Sequence, residues 1–480
     1  LTKLSDLLAP ILARDPDVSG LALDSRVVKP GDLYAALPGR HADGRAFINA
    51  AIEKGAVAIL APTGTQLDRT DIALITDDEP RRRLAHIAAR FYGAQPATVA
   101  TVTGTNGKTS VVNFTRQIWS HLSLQAASLG TLGLIAPHRV EKGSLTTPDS
   151  ISLHRDLADL AKAGVTHLAV EASSDGLNQF RLDGVSVTAA AFTNLTRDHL
   201  DTHGSMEAYW AAKKRLFTEV MPPCRTAVIN ADSPYAEELI SACRLRGQKV
   251  LSFGSHGDDI LIVSATPAAQ GQELELMVLG KPYQIHLPLA GAFQASNAAC
   301  ALGLVLATTG VEPAVAVASL SHLEGVPGRL QKVAVKANGA AVYVDYAHTP
   351  DALETALTAL RPHTSGKLVA LFGCGGDRDP GKRPQMGAIA AKLADKVFVT
   401  DDNPRSEEPA SIRAQIMPAC PGATEIGDRR QAILTAVLEL EAGDVLVLAG
   451  KGHESGQIIK DQVLPFDDAV EACAAVEQTL

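Results

Sequence analysis

Ala100-Thr101-Val102-Thr103-Gly104-Thr105-Asn106-Gly107-Lys108-Thr109-Ser110 decides how this chain is read. A β-branched apolar run passes directly into a glycine turn, then Lys-Thr, then a segment in which Val111, Val112, Ile118, Trp119 and Leu122 recur at helical spacing. That is the order a phosphate cradle requires. Gly104 and Gly107 let the backbone turn its N–H groups toward an anion, with Thr105 and Asn106 between them. Lys108 supplies a point charge for the β- and γ-phosphates. Thr109 offers a hydroxyl to Mg2+ at a helix N-terminus, where the dipole favours negative charge. The common phosphate loop carries four residues between its first glycine and the Gly-Lys pair. Here two separate Gly104 from Gly107, which points to a particular subfamily of ATP users.

Working outward, 480 residues exceed one ordinary core, so two to four domains are expected. The formal net charge of −9 argues against a nucleic-acid partner, which would want a basic face. Six cysteines (Cys224, Cys243, Cys300, Cys374, Cys420 and Cys473) are scattered without a C-x-x-C pair. That suits reduced thiols in a cytoplasmic enzyme, and neither a zinc site nor a disulfide framework. No basic segment followed by an apolar core opens the chain, so no secretory leader is expected. The start at Leu1 rather than Met is read as processing or trimming. No apolar run reaches membrane-spanning length, and no membrane partner is expected.

Strand and helix patterns alternate throughout, giving an α/β chain in three units. Residues 1–94 hold short strands at 20–23, 33–37, 57–60 and 73–76. They end in a helix opened by Glu79-Pro80, with Leu84, Ile87, Ala88 and Phe91 inward and Gly93 as its stop. Arg81, Arg82 and Arg83 on that helix read as a solvated face. Residues 95–326 contain the phosphate loop, a buried strand from Val165 that ends at Glu171, and another from Val185 to Phe192. Residues 327–480 repeat strand, polar loop, helix, with strands at 341–344, 368–372, 397–400 and 445–448. The alternation implies parallel sheets with helices on both faces, where ligands bind beyond the carboxyl ends of strands.

The polar motifs sit at such ends. Glu171 can hold Mg2+ with Thr109 and phosphate oxygens, or cap a helix. His199, in Asn194-Leu195-Thr196-Arg197-Asp198-His199, reads equally as a metal ligand or a satisfied loop histidine. On local chemistry Lys213 is a solvated cation. In the third unit four loops follow four strands: Asp345-Tyr346-Ala347-His348, Gly373-Cys374-Gly375-Gly376-Asp377-Arg378, Asp401-Asp402-Asn403-Pro404-Arg405 and Gly450-Lys451-Gly452-His453-Glu454. Together they suggest a pocket for a zwitterion, with guanidiniums on carboxylates and Glu454 on an ammonium. Arg378 stands where a dinucleotide fingerprint needs its third glycine, which disfavours an NAD-binding oxidoreductase.

These motifs together resemble the Mur ligases over nearly the whole chain. The short loop Thr103–Thr109 is that family's phosphate loop. The layout is similar to its UDP-substrate domain, central ATPase domain and C-terminal Rossmann-like domain. The resemblance implies an ATP-dependent ligase, monomeric and cytoplasmic. It would add meso-diaminopimelate to UDP-N-acetylmuramoyl-L-alanyl-D-glutamate through an acyl phosphate, with Mg2+, in peptidoglycan precursor synthesis. It assigns Leu23, Ser25, His41, Thr146, Thr147, Ser173, Gln179 and Arg181 to the UDP-sugar dipeptide. Asn297, Arg329 and Asp345 join the loop as ATP contacts. Arg378, Asp402, Asn403, Pro404, Arg405, Gly450 and Glu454 go to diaminopimelate. Glu171 and His199 become metal ligands beside Thr109, and Lys213 becomes a carbamylated lysine whose carbamate holds metal, reversing its local reading. Lys108, His199 and Lys213 form the catalytic set. Two positions depart from the family pattern: Gln294, where Asn is frequent, and Asp175, where His is common and to which no role is assigned. Three competitors remain. A lysine-adding or folate-type ligase is disfavoured by Arg405 and by Asp24-Ser25-Arg26. A phosphate-loop switch leaves the four late loops unused. The oxidoreductase fails at Arg378.

Overall fold

The computed structural model describes residues 2–8, 14–39, 42–143, 145–196, 198, 200–268 and 271–479. Contacts divide the chain into two compact units, Leu1–Ile260 with Cys300–Glu312, and Leu261–Ala299 with Pro313–Leu480.

The first unit opens with a four-stranded parallel sheet of Gly20–Ala22, Asp32–Ala35, Ala58–Pro62 and Ala73–Asp77, in that order. Alternate residues feed two cores. Leu33, Ala35, Ala58 and Leu60 pack with Leu84 and Ile87 of the helix Pro80–Tyr92, while Tyr34, Ala36, Ile59 and Ala61 pack with Ile48 and Ile52. Gly93, at φ 74°, ends that helix as expected. The arginines on it are not a solvated face. Arg82 Nε lies 3.1 Å from the buried Asp183 carboxylate, Arg83 donates to the Leu8 carbonyl at 2.9 Å, and Arg81 donates to the Pro38 carbonyl. The helix docks through these groups, which periodicity alone cannot reveal.

The unit continues with a larger sheet in the strand order Arg139–Glu141, Gly133–Ala136, Ala126–Gly130, His167–Glu171, Thr98–Thr103, Val187–Phe192, Thr226–Asn230 and Lys249–Gly254. The last six are parallel and the first two form an antiparallel edge hairpin. The phosphate-loop strand is fully buried between two parallel neighbours, Glu171 pairing with Val102 and Phe192 with Thr103. Three carboxyl ends therefore lie side by side.

In the second unit the sheet order is Gln331–Val335, Ala341–Asp345, Val445–Ala449, Leu368–Phe372, Lys396–Val399 and Thr424–Glu425. The last five run parallel to one another, and the first is antiparallel to the second. Val342, Val344, Leu446 and Leu448 face Ile433 and Val437, whereas Tyr343, Val445, Val447 and Phe372 face Leu353 and Leu357, so helices cover both faces. The antiparallel first strand departs from the expectation of purely parallel sheets. Its cause lies in the turn that follows it, where Asn338-Gly339 sets Gly339 at φ 90° and Lys336 N–H bonds the Ala340 carbonyl.

Candidate active site

The phosphate loop is built around its two glycines. Gly104 takes φ 148° and lies so close to the neighbouring strand end that a Cβ would fall 1.9 Å from Thr193 Oγ1. Gly107, at φ 86°, stands immediately before the helix Lys108–His121. The loop is tied down from the next strand. Asn106 N–H bonds Asn194 Oδ1 at 2.9 Å, Thr193 Oγ1 donates to the Asn106 carbonyl at 2.6 Å, and Thr196 N–H bonds Thr105 Oγ1 at 3.0 Å.

Two ammonium groups converge on one carbonyl. Lys108 Nζ donates to Gly104 O at 2.9 Å and Thr105 O at 2.8 Å, while Lys213 Nζ donates to Gly104 O at 2.7 Å. Lys213 is 1 % exposed and lies over the Tyr209 ring, so the local reading of a solvated cation is wrong. Burial, and then the Lys108 charge, hold its ammonium well below the usual lysine range. Spacing could not place it there, because its burial depends on the helix Met206–Arg215 packing over the loop.

Glu171, 1 % exposed, meets Thr109 as the sequence reading required: Thr109 Oγ1 donates to Glu171 Oε2 at 3.1 Å. Thr131 was not foreseen. Its N–H bonds Glu171 Oε1 at 2.8 Å and its hydroxyl bonds Glu171 Oε2 at 3.2 Å. It opens the turn after the strand Ala126–Gly130, and nothing in its local sequence signals this. His199, like His41, lies outside the described residues. Among the described residues no three His, Cys, Asp or Glu side chains cluster to cage a cation. A small hard cation would suit this oxygen donor set, completed by phosphate oxygens, as Mg2+ prefers.

A cavity of about 200 Å3 adjoins the loop, lined by Lys108 and Lys213 and by Thr146, Thr147, Ser173 and Arg181. Thr147 Oγ1 donates to the Glu171 carbonyl at 2.7 Å and accepts from Ser173 N–H at 3.0 Å, which joins metal and substrate candidates in one framework. Gln179 and Arg181 bond each other at 3.0 Å. Ser25 is buried, while Leu23 is exposed on the same turn. There Arg26 pairs with Asp24 and holds its carboxyl down at about 2; Arg45 pairs with Asp43 and lowers its carboxyl.

In the second unit, Asn297 Nδ2 donates to Gln294 Oε1 at 3.0 Å, and Gln294 Nε2 reaches the Arg329 carbonyl at 3.4 Å. The departing Gln294 thus holds two of the candidate nucleotide residues together. Arg329 lies against the Tyr346 ring. Asp345 accepts N–H bonds from Leu330 and Ala347, yet burial pushes its carboxyl up to about 6.

The four late loops do converge. Gly375 lies between the Arg405 guanidinium and the Arg378 stem: a Cβ there would come 2.7 Å from Arg405 Nη1 and 3.8 Å from Arg378 Cγ. Arg378 is exposed. Arg405 sits at φ 51°, held by its N–H to the Ile458 carbonyl at 3.0 Å and by its own carbonyl to Lys460 N–H at 2.7 Å. A left-handed arginine costs about 1–3 kcal/mol, which these bonds must offset. Pro404 before it is buried. Lys451, fully buried, donates to Asn403 Oδ1 at 2.9 Å, and Asn403 Nδ2 donates to Glu454 Oε2 at 2.8 Å. Asp402 touches Gly450, where a Cβ would sit 2.4 Å from its Oδ2, and burial raises its carboxyl. Among the described residues nothing hydrogen-bonds that carboxylate, which leaves it available to a cation.

Three family models match in sequence: the Mur ligase family catalytic domain over 17–92, the Mur ligase middle domain over 102–305, and the Mur ligase glutamate ligase domain over 328–452. The UDP-N-acetylmuramoyl-L-alanyl-D-glutamate–2,6-diaminopimelate ligase of Bradyrhizobium diazoefficiens is 53% identical over 486 residues, covering 99% of each chain. The protein of the same name from Caulobacter vibrioides is 53% identical over 481 residues, again 99% of each. A solved structure of a ligase of that name superposes with a TM-score of 0.76 at 33% identity, over 100% of this chain and 99% of that one. The MurF ligase of Thermotoga maritima, solved with ADP, shares the fold at a TM-score of 0.60 and 19% identity, over 96% and 97%. With a three-domain α/β architecture, a two-residue-shortened phosphate loop and full-length relatives at half identity, the chain belongs to the Mur ligase family.

Proposed function

We propose that this chain is an ATP-dependent ligase that adds meso-diaminopimelate to UDP-N-acetylmuramoyl-L-alanyl-D-glutamate. It works as a cytoplasmic monomer supplying peptidoglycan precursors, with domains at 1–94, 95–326 and 327–480. The named relatives support the substrates. The observation that carries the amino-acid choice is the charge cluster of the second unit. It sets Arg378 and Arg405 about Gly375, with Asp402 and Glu454 on the adjoining loops. A side chain ending in both an ammonium and a carboxylate satisfies both signs. Lysine would leave a guanidinium facing a cation.

The reaction has two steps. The dipeptide's terminal carboxylate attacks the γ-phosphorus of ATP, ADP leaves, and an acyl phosphate forms. The amino acid's amine then attacks that carbonyl, losing a proton as phosphate departs. The loop N–H groups and Lys108 stabilise charge on the transferring phosphoryl group. Ser173, Thr147 and Arg181 hold the dipeptide, and Asn297, Arg329 and Asp345 the nucleotide. Lys213 is poised for carbamylation, because the neutral amine that burial favours is the form that adds CO2. Thr109, Glu171, His199 and the Lys213 carbamate would hold Mg2+, which when bound neutralises phosphate charge.

An amino-acid panel tests this reading. Ligation with meso-diaminopimelate, L-lysine and L-ornithine is followed by product mass in the presence of ATP and the UDP-sugar dipeptide. Product with diaminopimelate alone is expected. Equal product with lysine would remove the charge-cluster argument.

A further inference from the structure

Lys108 and Arg181 bring two cationic side chains to the cavity beside the phosphate loop, which Lys213 also lines, and Asp175 brings a carboxylate. Asp175 Oδ2 accepts from Arg181 Nη2 at 3.1 Å, and Oδ1 accepts from Gln179 Nε2 at 2.8 Å. Arg181 Nη2 also donates to Gln179 Oε1 at 3.0 Å, which closes a ring of three side chains. The other arm of the guanidinium, Nη1, donates to the Thr147 carbonyl at 2.8 Å. The base of the ring is fixed as well. Asp175 stands in the first turn of the helix Ser174–Asn178, capped by Ser173, whose Oγ accepts from Gly176 N–H at 3.0 Å and shares a hydrogen bond with Thr147 Oγ1 at 3.0 Å.

A guanidinium has five N–H donors in a rigid fork. Contacts to Asp175, Gln179 and Thr147 engage its two terminal nitrogens and fix the plane of the fork, while N–H donors remain for a ligand. Without Asp175 the fork could swing about its long stem, and Gln179 could turn its amide over. The Arg181 side chain is 13% exposed and that of Asp175 35%, so the pair sits at the cavity wall rather than in bulk water. A charge-assisted bond in such a setting is stronger than its exposed equivalent.

We propose that Asp175 is a positioning residue: it holds Arg181 and Gln179 in the orientation that takes a carboxylate of an anionic peptide-bearing substrate. The proposal rests on the functional reading above and names the residue that preorganises its dipeptide site. Asp175 acts through Arg181 and Gln179 and need not touch the substrate.

Steady-state ligation by Asp175→Ala and Asp175→Asn tests it, each of the three substrates being varied in turn. Asp175→Ala should raise KM for the UDP-sugar dipeptide roughly ten-fold, the loss expected for one charge-assisted bond. KM for ATP and for diaminopimelate, and kcat at saturation, should stay within about two-fold. Asp175→Asn keeps an acceptor for Gln179 and loses the ion pair, so its KM should fall between the two. In an Arg181→Ala background, Asp175→Ala should add much less, only what its bond to Gln179 contributes. An unchanged dipeptide KM in Asp175→Ala would overturn the proposal. So would a parallel rise in all three KM values, or an undiminished effect in the Arg181→Ala background. The unsubstituted enzyme runs in the same assay. If it fails to ligate, the functional reading falls and takes this proposal with it; if it ligates and the variants match it, the positioning role alone is lost.

Discussion

Lys213 and Lys108 share the Gly104 carbonyl, an arrangement that sets like charges together unless one of them is neutral. Lys213→Gln removes the amine that would become a carbamate. It should lower kcat by about a hundred-fold or more, the scale seen when one electrostatic contact to a transition state is lost. Intact-mass measurement of the unsubstituted protein in bicarbonate should show one added CO2 that the variant lacks. Gly104 makes a sharper structural test. A methyl group there would meet Thr193 Oγ1 at 1.9 Å, in a backbone conformation that side chains rarely adopt. Gly104→Ala should lose ATP binding in calorimetry and cost about 1–3 kcal/mol of stability in urea unfolding. Arg405→Ala should raise KM for diaminopimelate ten-fold or more, since a charge-assisted bond contributes about 1.5–3 kcal/mol. KM for ATP should barely change, and an unaltered diaminopimelate KM would take Arg405 out of the pocket. At this scale the sequence carried the loop, Glu171 with Thr109, and the four late loops, because each is a local motif at a strand end. It did not carry Thr131, Asp175 or the burial of Lys213. Those depend on which side chains meet across separate elements, and no spacing along one element encodes that.

The parallel strands that the sequence reading named were legible from their apolar runs, with ends shifted by one or two residues; the strand expected at 397–400 is Lys396–Val399, whereas Ala126–Gly130, Thr226–Asn230 and Lys249–Gly254 were not named. Edge strands were less legible. Gln331–Val335 and the hairpin of Gly133–Ala136 with Arg139–Glu141 are short and partly exposed, so their hydrophobic signal is weak. The docking of the helix Pro80–Tyr92 was misread because its arginines find partners on other elements. The same region holds His154, in the helix Ser150–Lys162, with Nε2 3.0 Å from the Asp183 carbonyl. Burial lowers the His154 imidazole to about 4. Unfolded, it takes a proton near 6.5. Its contribution to stability is therefore complete above about pH 6.5 and drains away as pH falls toward about 4. Between pH 7 and 5 this one residue should account for about 2 kcal/mol of lost unfolding free energy. His154→Gln keeps an N–H donor but cannot titrate. Urea unfolding of the variant should show a shallower decline over that interval; an identical decline would assign the acid sensitivity to other groups.

Across the whole molecule the two chemistries fall in different compact units, the phosphate cradle in the first and the charge cluster in the second. A phosphate-loop switch would need only the first. A ligase must use both, and its phosphate output reports which is the case. If the dipeptide carboxylate is the group that attacks ATP, leaving out the UDP-sugar dipeptide removes the nucleophile, and phosphate release should fall to the buffer rate. If the amino acid alone is left out, the acyl phosphate can form once per site but has no amine to meet. ADP should then form to at most one equivalent of enzyme and no phosphate should be released, the acyl phosphate being sheltered from water. With all three substrates present, release should be continuous and equal to ligated product, mole for mole. Arg405→Ala should shift the diaminopimelate concentration at which continuous release begins while leaving the single turnover of ADP formation intact. Lys108→Ala should abolish both phases, because it removes charge stabilisation from the first chemical step. Continuous release of equal rate without dipeptide or amino acid would make the protein an ATPase that uses its first unit alone, and the second unit's paired charges would then have no part in turnover.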